Sequence, residues 1–241
     1  MSPSSPASTT ASEPQVREVE VALIRHGESI WNAEGRYQGQ QGPGLSELGH
    51  EQARMAAAYV IDRFGTFDRA VASDLPRVQE TRQPWSDKTG TTPTIDQRFR
   101  EIDSGDWAGR FPDEVKKLYP EELAAMRRRE DIPRGGGETF AQLRARVWEA
   151  MTHWVTQPVP DSREDGRPIS GDRLRIIVFT HGGCIQTSAA EALGLPPMGH
   201  TWLRPPTNCS LTLFRHQVDA AGQLIDTELV EYATETGMIN S

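Results

Sequence analysis

The chain is predicted to fold as a three-layer α/β/α sandwich around a mostly parallel central sheet, with a helical lid insertion. Three observations carry that expectation. Val21-Ala22-Leu23-Ile24 and Ile176-Ile177-Val178-Phe179 are continuous apolar runs, as in strands buried on both faces. Strand-like and helix-like segments alternate along the chain, the pattern of helices laid on a sheet. The length, 241 residues with 36% hydrophobic, is enough for one full core.

Taken in order, residues 1–16 are rich in Ser, Pro, Thr and Ala and read as a disordered tail. The tail has neither the charged start nor the apolar segment of a signal peptide. Residues 17–241 form one domain. Its first strand ends at Arg25-His26-Gly27, and the glycine-rich residues 27–45 read as a loop. Ser46 is an N-cap for a helix to about residue 64, whose slim stripe of Ala53, Ala56, Ala57, Val60 and Ile61 suits packing on a sheet. Residues 67–73 form a second strand. A helix follows from Pro76 and is expected to stop before Pro84. Residues 93–100 are a short third strand. The stretch at about 105–137 has helical pieces but little core pattern, and is read as a mobile excursion closed by Pro133 and Gly135-Gly136-Gly137. Thr139 with Gln142 makes a capping box. Phe140, Leu143, Val147, Met151 and Trp154 then mark the core face of a long helix. Residues 157–172 read as a surface loop. The second buried strand runs into Thr180-His181-Gly182-Gly183, followed by a helix to about Leu193 with Gly194 beyond its end. Leu211, Leu213 and Cys209 alternate as in a strand, and a last strand is expected near residues 225–231.

A formal net charge of -8 argues against a broad basic surface and hence a nucleic-acid partner. Any anion site must be local. The apolar runs are too short to span a bilayer, and a cytoplasmic location is expected. Cys184 and Cys209 lack disulfide-framework and zinc-ligand spacing and read as buried thiols. No Walker-type glycine loop and no carboxylate cluster for a metal are visible, so no cofactor is expected.

His26 and His181 share one setting: each follows an apolar strand and precedes glycine. In a parallel sheet, adjacent strand ends lie about 5 Å apart, and ligands bind beyond the carboxyl ends of the strands. His181 also precedes a helix, whose first amides favour an anion. Arg77 lies just past the second strand. Arg25, His26, Arg77 and His181 thus make an anion clamp containing a nucleophile. That set fits phosphoryl transfer: arginine forks match phosphate oxygens, and neutral imidazole can form a covalent phosphoenzyme. A leaving alkoxide needs a proton, and Glu101, Asp103 and Asp106 are the available carboxyls.

Five ordered blocks over roughly residues 19–215 resemble the histidine phosphatase superfamily, which includes cofactor-dependent phosphoglycerate mutases. They are LIRHGESIWN; GRYQG with GLSELGHEQA; SDLPRVQET; REIDSGDWAG and GGGETF; and VFTHGG. The resemblance implies His26 as the phosphorylated nucleophile, with Arg25, Arg77 and His181 holding the phosphoryl group. Asn32 would add a donor to it, and Glu101 would be the general acid and base. The Gly182 amide would line the pocket, and Gln38 would contact substrate. Trp107-Ala108-Gly109 departs from the family pattern, which often has glutamate in the middle. The loop at Gln41-Gly42-Pro43-Gly44 blurs the alignment before Leu45.

Only 36 residues separate Glu101 from Glu138, which resembles the phosphatase branch and not the longer excursion of the mutases. The expected activity is hydrolysis of a small phosphorylated metabolite, with a mildly acidic optimum. A phosphoglycerate mutase and a non-catalytic phospholigand binder are the alternatives. Arg127-Arg128-Arg129 reads as a solvated helix face, and His50 as surface. His153, His200 and His216 receive no role. Trp31, Tyr37, Trp107 and Trp202 line a rim or simply pack. A homodimer stays open as an alternative to the monomer.

Overall fold

The computed structural model describes residues 16–158 and 173–237; all of the expected tail but Val16, and most of the 157–172 loop, lie outside them. In chain order the elements are β1 (Arg17–Arg25), α1 (Ile30–Glu34), α2 (Glu47–Phe64), β2 (Arg69–Ala72), α3 (Pro76–Thr89), β3 (Thr94–Ile95), α4 (Pro112–Leu118), α5 (Pro120–Arg127), α6 (Phe140–Thr156), β4 (Arg173–Thr180), α7 (Gly182–Ala192), β5 (Leu211–Val218) and β6 (Leu224–Thr234).

The six strands form one mixed sheet in the order β3-β2-β4-β1-β5-β6. β1, β2, β3 and β4 pair in parallel, whereas β5 and β6 add on antiparallel. Residue parity along β1 decides the layers, because successive side chains in a strand point to opposite faces. Val19, Val21 and Leu23 pack with Leu143, Val147 and Met151 of α6 and with Ile185 of α7. Ala22 and Ile24 face Ala57 and Val60 of α2 and Val78 and Trp85 of α3. Both sheet faces are therefore covered. Among the described residues no helix is long and apolar enough to cross a membrane.

Both expected caps form: Ser46 accepts from the Gly49 N–H, and Thr139 and Gln142 make a reciprocal box. Other local expectations are corrected. α3 runs through Pro84 to Thr89 instead of stopping. A proline inside a helix costs about 3 kcal/mol. Just past it, Trp85 is 2% exposed and packs between Phe67 and Phe179. Burying an indole stabilises by about 4–6 kcal/mol, at roughly 25 cal/mol per Å² over 150–250 Å², so the tertiary contact wins. The 93–100 strand shrinks to Thr94–Ile95, because Asp96 caps a 3₁₀ turn over Gln97–Phe99. The 27–45 loop contains α1, held by a capping box between Ser29 and Asn32. Cys209 precedes β5 in a left-handed turn, φ 57°.

The excursion read as mobile is tightly docked where it closes. Its glycines meet the 103–106 loop backbone to backbone: a Cβ on Gly135 would sit 2.7 Å from Ser104 O, and one on Gly137 would sit 2.3 Å from Asp103 O. Heavier side chains cannot fit there, so the glycine run is a packing requirement and not slack. The two thiols are buried as expected, and burial pushes each up to about 12.

Candidate active site

The strand order β2-β4-β1 brings three carboxyl ends together. Arg25 of β1 is paired with Thr180 of β4, so the next residues, His26 and His181, stand side by side with ring centroids 5.2 Å apart. Beyond β2, Ser73 and then Arg77 reach the same place. Arg25, His26, Asn32, Gln38, Arg77, Glu101 and Gly182 all line one cavity of about 250 Å³. Asp103 and Asp106 do not line it. Asp103 accepts from the Gly105 N–H instead, and Asp106 is exposed.

His26 is 3% exposed, and its Nδ1 lies 2.7 Å from Gly27 O. A carbonyl only accepts, so Nδ1 carries the proton and Nε2 keeps the lone pair. Burial, then Arg77 and Arg25, hold this imidazole well below 6.5. His181 is held well below 6.5 by burial, Arg77, His26 and Arg25. Both rings are thus neutral at pH 7. His181 Nε2 meets Ser73 Oγ at 2.9 Å, while its buried Nδ1 has no partner among the described residues.

Arg77 is 1% exposed, and burial lowers its guanidinium to about 10. Two of its five N–H groups go to Gly39 O and Gln41 O. Its Nε, like Arg25 Nε, is buried without a hydrogen-bond partner among the described residues. Arg25 donates from its other end to Pro206 O. Three buried nitrogens around His26 therefore lack hydrogen-bond partners among the described residues, a costly state that an oxyanion would relieve at the two guanidinium N–H groups.

Ser29, absent from the sequence reading, orients the two amides of the cavity. Its N–H donates to Asn32 Oδ1 and its Oγ to Gln38 Oε1, which leaves each side-chain NH₂ as a donor. α3 does similar service below: Glu80 accepts from the Leu45 N–H and Thr81 Oγ1 accepts from the Gly27 N–H. The RVQET run thus ties down both the histidine turn and the glycine loop.

Glu101 is half-buried at the edge of the cavity. Its two carboxylate oxygens accept from the N–H groups of Ile102 and Gly183. A Cβ on Gly183 would lie 2.2 Å from Glu101 Oε1, so the second glycine after His181 is what lets the carboxylate approach α7. The peptide around Glu101 is clamped from α6. Arg146 donates to the carbonyls of Arg98, Arg100 and Glu101 and pairs with Glu138, which accepts from the Asp103 N–H. Sequence reading missed this pair; the glutamate after the glycines of GGGETF was its visible trace. Arg146→Met is expected to lower kcat about 10–100-fold, the scale of a small misplacement of a reacting group. KM should change less and Arg146→Lys should restore part of the rate; steady-state kinetics on all three proteins checks this.

The remaining expectations sort by geometry. Trp107 is fully buried against Tyr37 and Tyr119, and Trp202 is exposed away from the cavity. Phe140 does more than pack: it lines the cavity and stacks on His200, 3.8 Å between centroids. Burial lowers His200 and His216 to about 4. His50 is half-exposed near Glu80, and Arg128 pairs with Glu130 at the surface. Among the described residues no group of three or more His, Cys, Asp or Glu could hold a metal ion.

The sequence model of the histidine phosphatase superfamily (branch 1) matches residues 21–223, and the chain belongs to that family. A 2,3-bisphosphoglycerate-dependent phosphoglycerate mutase of Brucella ovis is 34% identical over 181 residues, covering 73% of this chain and 82% of that protein. Among solved structures, one described as mycobacterial hydrolase 2 superposes with a TM-score of 0.78 at 28% identity, covering 93% of this chain and 94% of the other. A mycobacterial glucosyl-3-phosphoglycerate phosphatase in complex with VO3 superposes with a TM-score of 0.72 at 28% identity, covering 89% and 98%. The chain is thus a phosphatase or mutase of this superfamily.

Proposed function

We propose that this protein hydrolyses small phosphomonoesters through a phosphohistidine on His26. The observation that carries the reading is a neutral, tautomer-fixed imidazole beside three buried nitrogens that lack hydrogen-bond partners among the described residues. In this account Arg25, Arg77 and His181 hold the phosphoryl oxygens, with the NH₂ groups of Asn32 and Gln38 and the Gly182 turn at the rim. Nε2 attacks phosphorus, the ester P–O bond breaks, and Glu101 gives its proton to the departing alkoxide. Water then attacks the phosphohistidine, Glu101 takes a proton from it, and inorganic phosphate leaves. The arginines offset charge on the equatorial oxygens throughout.

Water is the acceptor in this reading because Glu101 is half-buried and Pro205 at the cavity wall is exposed. The short excursion supports hydrolysis too. The mutase reading is favoured by the Brucella relative, at higher identity than the phosphatase structures. A panel of phosphomonoesters including 3-phosphoglycerate, assayed with and without 2,3-bisphosphoglycerate, separates the two. Inorganic phosphate release independent of the bisphosphate is expected. Appearance of 2-phosphoglycerate only when the bisphosphate is present, without phosphate release, would replace hydrolysis by the mutase reaction.

A further inference from the structure

We infer that Arg134 is a specificity residue for a second oxyanion on the substrate, a carboxylate or a second phosphate carried by the same small phosphomonoester. The inference rests on the phosphomonoesterase reading above and narrows its substrate class.

Arg134 lines the cavity with Arg25, Arg36, Arg77 and Glu101. The four arginines are not equivalent. Arg25 at the end of β1 and Arg77 in the first turn of α3 stand beside His26 and are fastened to loop carbonyls. Arg36 pairs with Glu34, donates to Gly109 O and lies over the Phe111 ring. The Arg134 guanidinium stands 4.5 Å from the centroid of Phe140 and makes no hydrogen bond or ion pair among the described residues. Burial lowers it, with Glu101, Tyr37 and Asp131 acting in the other direction. An arginine half-buried at a ligand cavity, with its guanidinium over an aromatic ring, keeps donors for a planar or tetrahedral oxyanion.

Its backbone is also fixed. The next residue, Gly135, donates to Glu122 Oε2. The glycines at 135 and 137 are jammed against the 103–106 loop that follows Glu101. The cation therefore sits at a set place relative to the acid, and binding to it does not require ordering a loop. Charge points the same way. When Glu101 carries the proton it donates, a phosphoryl dianion balances Arg25 and Arg77. Arg36 has Glu34, whereas Arg134 has no ion-pair partner among the described residues and only the longer-range field of Asp131. A substrate with a second anion completes the balance, whereas a neutral sugar or alkyl phosphate does not.

The test is a ratio of ratios. In one arm, kcat/KM for 3-phosphoglycerate is divided by that for glycerol 3-phosphate, which replaces the carboxylate by hydroxymethyl. In the other, fructose 1,6-bisphosphate is compared with fructose 6-phosphate. Arg134→Met keeps a stem over Phe140 but removes the charge, and is expected to lower at least one ratio about 10–100-fold, the range for a lost hydrogen bond to a charged group. The affected arm identifies the oxyanion. Arg134→Lys should retain part of the preference. Ratios unchanged in both arms, or an equal loss on both members of each pair, overturn the inference. Calorimetric titration of the same four compounds into His26→Ala protein, with and without Arg134→Met, separates this from the catalytic reading. Arg134-dependent discrimination in binding without turnover by the wild type would leave Arg134 assigned and remove the phosphatase. Turnover without discrimination would do the reverse.

Discussion

His26→Ala is expected to lower kcat/KM by about 10⁴-fold or more, because removal of a nucleophile leaves only binding and electrostatic stabilisation. Phosphate release assays on purified variant and wild type measure it. Folding should survive, since the strand is fixed by backbone pairing on both sides and the ring packs chiefly against His181 and its own turn. Binding of phosphate to the variant should persist, as Arg25, Arg77 and His181 remain. A variant that keeps a tenth of the wild-type rate would move the nucleophile elsewhere. The same geometry sets the pH response on the nucleophile side. Protonation would silence Nε2, but burial and the two arginines hold His26 well below 6.5. Activity should therefore not fall with a midpoint near 6.5 as the solution is acidified.

Glu101→Gln is the second large effect, about 10²–10⁴-fold in kcat on alkyl phosphates, the range for general acid–base catalysis. The size of the loss should depend on the leaving group. A nitrophenolate departs without a proton, so p-nitrophenyl phosphate should lose much less in its phosphorylation step than glycerol 3-phosphate. Single-turnover comparison of the two esters reads this directly. An equal loss on both would mean that the carboxylate positions other groups and does not transfer the proton. Glutamine can still accept from one of the Ile102 and Gly183 amides through Oε1, but its NH₂ then faces the other N–H, so the dependence on leaving group, and not the size of the loss alone, is what identifies proton transfer.

The legible parts of this fold were those whose causes are local. β1 and β4 announce themselves by unbroken apolar runs because both sheet faces are covered, and His26 and His181 follow because glycine marks the turn at each strand end. Ser46 and Thr139 could be read as caps because capping acts over three residues. The parts that could not be read depend on partners far away in sequence. α3 continues through Pro84 because Trp85 finds Phe67 and Phe179. The excursion closes rigidly because Gly135 and Gly137 meet residues 103–106. Ser73, Thr81 and Arg146 carry no pattern of their own, and they and Glu138 matter through contacts that only the folded chain brings about. Arg134 precedes a glycine run with nothing local to mark it; its standing comes from the cavity wall it shares with Phe140.

The most direct test of the central claim is rapid-quench trapping with a ³²P-labelled substrate, followed by mapping of the labelled peptide. About one acid-labile, base-stable phosphate per chain is expected on His26, formed and discharged at rates matching turnover, and none in His26→Ala. Turnover without label, or label on any other residue, would contradict it.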